Sequence, residues 1–169
     1  MKAGKHRTSN IEHRTLKDST DDSWSLHEFG AGGRKFDLEE RLLEFASAII
    51  DLSEKLPDTR AGNHVAGQIL RSGTSPFPNH GEAESAESRD DFVHKLKICL
   101  KELRETRRWG RLIQRKAWAK EETTLLFVLS ESDELIRIFM SSIKTTRQNA
   151  LVQKQKTSAP THYPPGKAG

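Results

Sequence analysis

Phe92-Val93-His94-Lys95-Leu96-Lys97-Ile98-Cys99-Leu100-Lys101-Glu102-Leu103-Arg104-Glu105-Thr106-Arg107-Arg108-Trp109-Gly110-Arg111-Leu112-Ile113-Gln114-Arg115-Lys116 carries two interleaved periodicities that decide the class of fold. Phe92, Leu96, Cys99, Leu103, Thr106, Gly110 and Ile113 recur at spacings of 4 and 3, which lines them up along one stripe of an α-helix. Lys97, Lys101, Arg104, Arg108, Arg111 and Arg115 recur at the same spacings on the side turned away from that stripe. A strand would scatter both sets over its two faces, because its side-chain period is two. The spacing therefore predicts a helix over 89–117, with Asp90 and Asp91 placed where the helix dipole favours negative charge.

The flanking segments repeat the pattern. Asp37 can cap a helix in which Leu38, Leu42, Phe45, Ile49, Leu52 and Leu56 form one heptad-spaced seam, and Pro57 stops it. Leu125, Leu129, Ser132, Ile136, Phe139 and Ile143 give a last helix over 120–149. Between the first and third lies an irregular helix over 59–88. Val65, Ile69 and Leu70 offer it an apolar face, Ala83 and Ala86 permit close approach, and Gly73, Pro76 and Pro78 predict a kink or break. Four helices with short connections and one main seam each predict an all-α, antiparallel up-and-down four-helix bundle over 37–150. Residues 1–36, which end in Gly30-Ala31-Gly32-Gly33, read as a disordered or loosely attached arm. Residues 151–169, with Pro160, Pro164, Pro165 and Gly166, read as a flexible tail.

Composition narrows the classes. Of 169 residues, 34% are hydrophobic and 31% charged, and mean hydropathy is −0.73, which suits thin amphipathic helices and self-association into a larger particle. Cys99 is the single cysteine, so no disulfide framework or cysteine metal site forms within one chain, and its place on the seam makes it a small core residue. No apolar run reaches the ~18 residues of a membrane span, and no signal-type stretch opens the chain, so a cytoplasmic location without membrane partners is expected.

The charge is unevenly spread. From Lys95 to Lys116 there are nine basic residues against Glu102 and Glu105, whereas 37–150 as a whole is near neutral. The ridge from Lys97 to Arg115 spans about 27 Å at the α-helical rise, a match to several phosphates along a nucleic-acid strand. Two readings stand beside each other: a solvated face with a few ion pairs, and a surface for RNA or DNA making backbone contacts with little sequence readout. Trp109 beside the ridge can be an interface or buried tryptophan, or a platform on which a base stacks.

Catalytic and metal constellations are not apparent. Asp90 and His94 lie four apart without a matching nucleophile, and the histidines show no ligand spacing. Gly30 to Gly33 lacks the strand and the lysine of a phosphate loop. Neither a cofactor, a metal, a small-molecule substrate nor an enzymatic activity is expected.

Several motifs in register carry a resemblance. Phe36-Asp37-Leu38-Glu39-Glu40-Arg41, Leu70-Arg71-Ser72-Gly73-Thr74-Ser75-Pro76 with Asn79 and Glu82-Ala83, Asp91-Phe92, the Lys95-to-Trp109 stretch and Ser142-Ile143-Lys144-Thr145 resemble a bacterial four-helix-bundle family over roughly residues 36–148. That family includes the proteins encoded by intervening sequences in large-subunit ribosomal RNA genes, and it is similar to the accessory variability determinant of diversity-generating retroelements. The resemblance implies a homopentameric barrel with a basic surface. For the retroelement branch it implies binding to a reverse transcriptase and to nucleic acid; for the intervening-sequence branch it assigns no function. It supplies no catalytic residues. Its second-helix motif maps onto Arg71, Ser72, Gly73, Thr74, Ser75 and Asn79, with a structural or interface role, while Pro76-Phe77-Pro78 departs from the Ile-Gly-Ala type of many relatives. The reading reached from the sequence is a non-enzymatic homo-oligomer binding nucleic acid through Lys97, Lys101, Arg104, Arg108, Arg111 and Arg115. The alternative is an oligomeric scaffold for a protein partner.

Overall fold

Residues 38–157 are described in a computed structural model, and every regular element among them is helical. α1 spans Leu38–Glu54, α2 Arg60–Thr74, α3 Pro76–Glu84, α4 Arg89–Lys116 and α5 Glu122–Thr157. The expected Asp37 cap, the arm over 1–36 and the tail beyond residue 157 lie outside the described residues.

α2 and α3 are two halves of one kinked rod. Ser75 between them keeps right-handed helical angles (φ −60°, ψ −37°), but Pro76 and Pro78 have no N–H to continue the hydrogen-bond ladder. Asn79 restores part of it: its N–H donates to Ser75 O at 3.3 Å, and its Nδ2 donates to Ser75 O at 2.9 Å and Ser75 Oγ at 3.0 Å. The rod ends at Glu84 rather than at Ser88. Ser88 is extended (φ −147°, ψ 159°) and starts α4 by accepting a hydrogen bond from Asp91 N at 3.2 Å.

α1 packs on α2, α3 and α5, and α4 packs on α2, α3 and α5, so α1 and α4 lie diagonally across the bundle. Partner residues run in opposite directions along neighbouring rods. Arg89 meets Gln153, Arg104 meets Met140 and Arg107 meets Asp133. Lys95 meets Glu82 while Arg71 meets Glu105, and Arg41 meets Glu131 while Lys55 meets Glu121. Neighbouring helices are therefore antiparallel, in an up-and-down bundle.

All six seam positions from Leu38 to Leu56 and all seven of the α4 stripe are buried. In α5, Leu125, Ser132, Phe139 and Ile143 are buried as expected, but Leu129 and Ile136 are only half-buried, and Val128 and Leu135 take the core places beside them. The stripe there runs Leu125, Val128, Ser132, Leu135, Phe139, Ser142, Thr146, because α5 must face α1 and α4 together. Leu70 is a second correction: it is 39% exposed while Val65 and Ile69 carry the face. The third lies at residue 151, where a tail was expected. α5 passes through to Thr157, since no glycine or proline interrupts the chain before Pro160.

Two close approaches hold the rods together. A Cβ on Gly73 would lie 2.6–2.7 Å from three side-chain atoms of Ile49, which is fully buried, so α1 and α2 meet there only because the position is glycine. A Cβ on Gly110 would lie 2.9 Å from Leu129 Cδ2. We expect Gly73→Ala to destabilise the bundle by about 1–3 kcal/mol through overpacking. In urea unfolding, the Gly73→Ala/Ile49→Ala pair should cost less than the sum of the two single changes. Additive losses would place the two residues out of contact.

Candidate nucleic-acid interface

The ridge is a consequence of how α4 sits. Its stripe from Phe92 to Ile113 is clamped between α2–α3 and α5, and its cations turn outward because a charge is costly to desolvate, while Glu102 is buried beside Arg71. Lys97, Lys101, Arg104, Arg108, Arg111 and Arg115 are all exposed, on one face. The other cations of the segment differ. Lys95 is bound to Glu82 at 2.5 Å, a hydrogen bond that raises its pKa and holds it protonated, and Arg107 is bound to Asp133 at 2.6 Å. Among the described residues, Lys101 alone of the ridge has a carboxylate in range, Glu102 at 3.5 Å, and Lys101 remains 74% exposed. Arg104 Nη2 approaches Met140 Sδ at 3.5 Å. Among the described residues, no carboxylate lies within ion-pair distance of Lys97, Arg104, Arg108, Arg111 or Arg115.

The ridge leans towards α5, and there the structure adds cations that the sequence did not reveal. Arg104, Lys144 and Arg147 surround an open groove of about 380 Å³ whose floor is Leu100, Met140, Ile143 and Leu151. Lys144 and Arg147 are exposed and extend the positive surface across the α4–α5 seam. Neither stands out on a helical wheel of α5, because its significance is set by the neighbouring helix. The opposite side of the bundle has the opposite sign: Glu39, Glu40, Glu44, Asp51 and Glu54 are exposed on α1, diagonal to α4.

The second-helix motif sits at the junction of α2 with α1 and α4. Ser72 is fully buried, its hydroxyl 3.0 Å from that of Thr106, which in turn donates to Glu102 O at 2.9 Å. Gly73 receives Ile49, Thr74 donates to Leu70 O at 2.7 Å, and Ser75 and Asn79 brace the kink. Pro76 O lies 3.6 Å from Cys99 Sγ. Arg71 stays at the surface, 2.5 Å from Glu105 and 3.7 Å from the buried Glu102, so it offsets two acids that would otherwise weaken the ridge. Trp109 is half-buried, donates from Nε1 to Glu105 at 3.4 Å and meets His64 edge-on at 6.2 Å.

The arrangement can gather several phosphates by charge. The lone thiol is not available for chemistry: burial, the largest cause, pushes the Cys99 pKa up from 9.0 to about 12. Among the described residues, no group of three or more histidines, cysteines or acids could hold a metal ion, and no helix is long and apolar enough to cross a membrane. We expect Cys99 to alkylate at neutral pH about a thousandfold more slowly in the folded protein than in guanidinium, following its thiolate fraction. Because the unfolded thiol ionises above 9 and the folded one only near 12, stability should fall as pH rises through that interval. Fast labelling of the folded protein would contradict the burial.

The fold has a counterpart among solved structures. A solved structure described as a protein of unknown function from the S23 ribosomal protein family of Bacteroides thetaiotaomicron is 39% identical, covering 63% of this chain and 97% of its own, with a TM-score of 0.58. No curated protein matches. The family model for the 23S rRNA-intervening sequence protein matches residues 34–141, which take in α1 to α4, the motif at Arg71–Asn79, the whole cationic ridge and most of α5. The chain belongs to the 23S rRNA-intervening sequence protein family.

Proposed function

We propose that this protein is a non-enzymatic, homo-oligomeric accessory factor that holds nucleic acid by its phosphate backbone along α4. The observation that carries the reading is the run of six exposed cations, five of them without a carboxylate in range among the described residues, extended by Lys144 and Arg147. A solvated face that serves only solubility would be expected to interleave its charges. Here one face of α4 carries the six exposed cations, while the diagonal α1 carries exposed acids and no exposed cation. Six to eight phosphate contacts per subunit would attract RNA or DNA without regard to sequence. In this reading the chain acts in the cytoplasm, as an accessory factor of the intervening-sequence or retroelement type. A homopentamer would multiply the ridge by symmetry, and a reverse transcriptase is a candidate partner through the retroelement resemblance.

One observation favours a second reading. The carboxylates on α1, with Leu43 (46% exposed) and Ile50 (43%) among them, complement the ridge, so an acidic protein surface could occupy α4 instead of a nucleic acid. Fluorescence anisotropy with labelled single-stranded RNA and duplex DNA over a salt series separates the two. Binding should weaken with a log–log salt slope steeper than about −4, at ~0.7–0.9 per neutralised phosphate. It should be lost in a folded Lys101→Glu/Arg104→Glu/Arg108→Glu/Arg111→Glu variant. Absence of binding at low salt would reject the nucleic-acid reading in favour of the scaffold.

A further inference from the structure

At the far end of the ridge the α4–α2 seam opens into a cleft of about 810 Å³, within the range of small-ligand sites. Its walls are aromatic and cationic: Arg60 and His64 from α2, Trp109, Leu112 and Lys116 from α4, and Trp118 from the connection to α5. We propose that this cleft takes an unpaired nucleobase from a strand lying on the ridge, stacked against the indoles, with its phosphates held by Arg60 and Lys116. The inference rests on the nucleic-acid reading above and adds to it a preference for single strands.

Three observations point to a built platform. Both indoles are half-buried and packed against the core, each with one side toward the cleft. Trp109 is fixed by its Nε1 bond to Glu105 and by the edge of His64. The Glu105 carboxylate, which would repel a phosphate, is already engaged by Arg71 at 2.5 Å.

Trp118 is placed by the backbone. Ala117 is the one positive-φ residue other than glycine among those described (φ 51°), a conformation disfavoured for a residue with a Cβ. That turn lets Trp118 N–H bond back to Ile113 O at 3.2 Å and folds the indole against the end of α4, where Lys116 Nζ lies 5.8 Å from the ring. The left-handed residue is the C-cap of α4, a common helix ending, and it fixes the direction in which the chain leaves towards Trp118.

The cleft is also continuous with the ridge. Leu112, 39% exposed on its rim, is one helical turn from both Arg108 and Arg115. A strand following the cations therefore reaches the aromatic floor by turning one base inward. A paired base cannot make that turn without being flipped out of its duplex.

The test compares three probes of equal length by anisotropy: a single-stranded oligonucleotide, the same backbone with every base removed, and a duplex. Wild type should bind all three and prefer the based single strand about tenfold. Trp118→Ala and His64→Ala, each checked for folding by circular dichroism, should lose that preference yet keep the affinity for the abasic strand and its salt slope. Indole fluorescence should be quenched by the based strand and not by the abasic one. Equal binding of based and abasic strands by wild type would overturn the stacking site while leaving the ridge intact. Binding of neither would remove the nucleic-acid reading and the cleft's role with it. Displacement of the based strand by polyglutamate of the same length, with the same loss in Trp118→Ala, would assign the cleft to a protein and overturn the proposal.

Discussion

The rotation of α4 about its own axis is the constraint on which the rest of the structure depends. One side of this helix holds Phe92, Leu96, Cys99, Leu103 and Ile113, each at most 1% exposed, and the other holds six cations. Turning the helix by one residue's worth of angle would carry arginines and lysines towards the core. Burying even one unpaired charge costs several kcal/mol in practice, comparable to the whole stability of a small domain. The apolar stripe and the cationic ridge therefore specify the same orientation from two directions. α2–α3 and α5 then take the places left on either flank, and α1 closes the bundle on the diagonal.

Small polar and glycine positions fit this arrangement together. Ser72, Thr106, Ser132, Ser142 and Thr146 are buried, and their hydroxyls satisfy themselves locally or across a seam, as Ser132 does at 2.6 Å from Val128 O and Thr146 at 2.8 Å from Ser142 O. They occupy little volume, so the rods can approach closely. Gly73 and Gly110 extend the same device to the contacts with Ile49 and Leu129. Of the motif residues, Ser72 and Gly73 are buried, Thr74, Ser75 and Asn79 half-buried, and Arg71 exposed.

Much of the fold was legible because heptad spacing is a direct record of burial. The seams of α1 and α4 were readable residue by residue. On α5 the sequence offers neighbouring apolar pairs, Val128 with Leu129 and Leu135 with Ile136, and spacing alone cannot choose between members of a pair when two partner helices share the face. Leu70 beside Ile69 misleads in the same way. The prolines announced a disturbance, but its outcome as a kink depended on Asn79 reaching back to Ser75. The candidate site was half legible: the ridge is local to one helix. Lys144 and Arg147 join it only through the α4–α5 contact, and Trp118 joins Trp109 only through the left-handed turn at Ala117. Juxtapositions between elements leave no periodic trace in the chain.

In the proposed function, α4 and its α5 flank present a surface for nucleic acid. Lysine acetylation read by mass spectrometry, with and without single-stranded RNA, tests it most directly. Lys97, Lys101 and Lys144 should be protected together on adding RNA, while Lys55, just beyond the end of the diagonal α1 and engaged by Glu121 at 2.8 Å, should keep its rate. Protection spread evenly over the lysines, or confined to residues off the α4–α5 face, would contradict it.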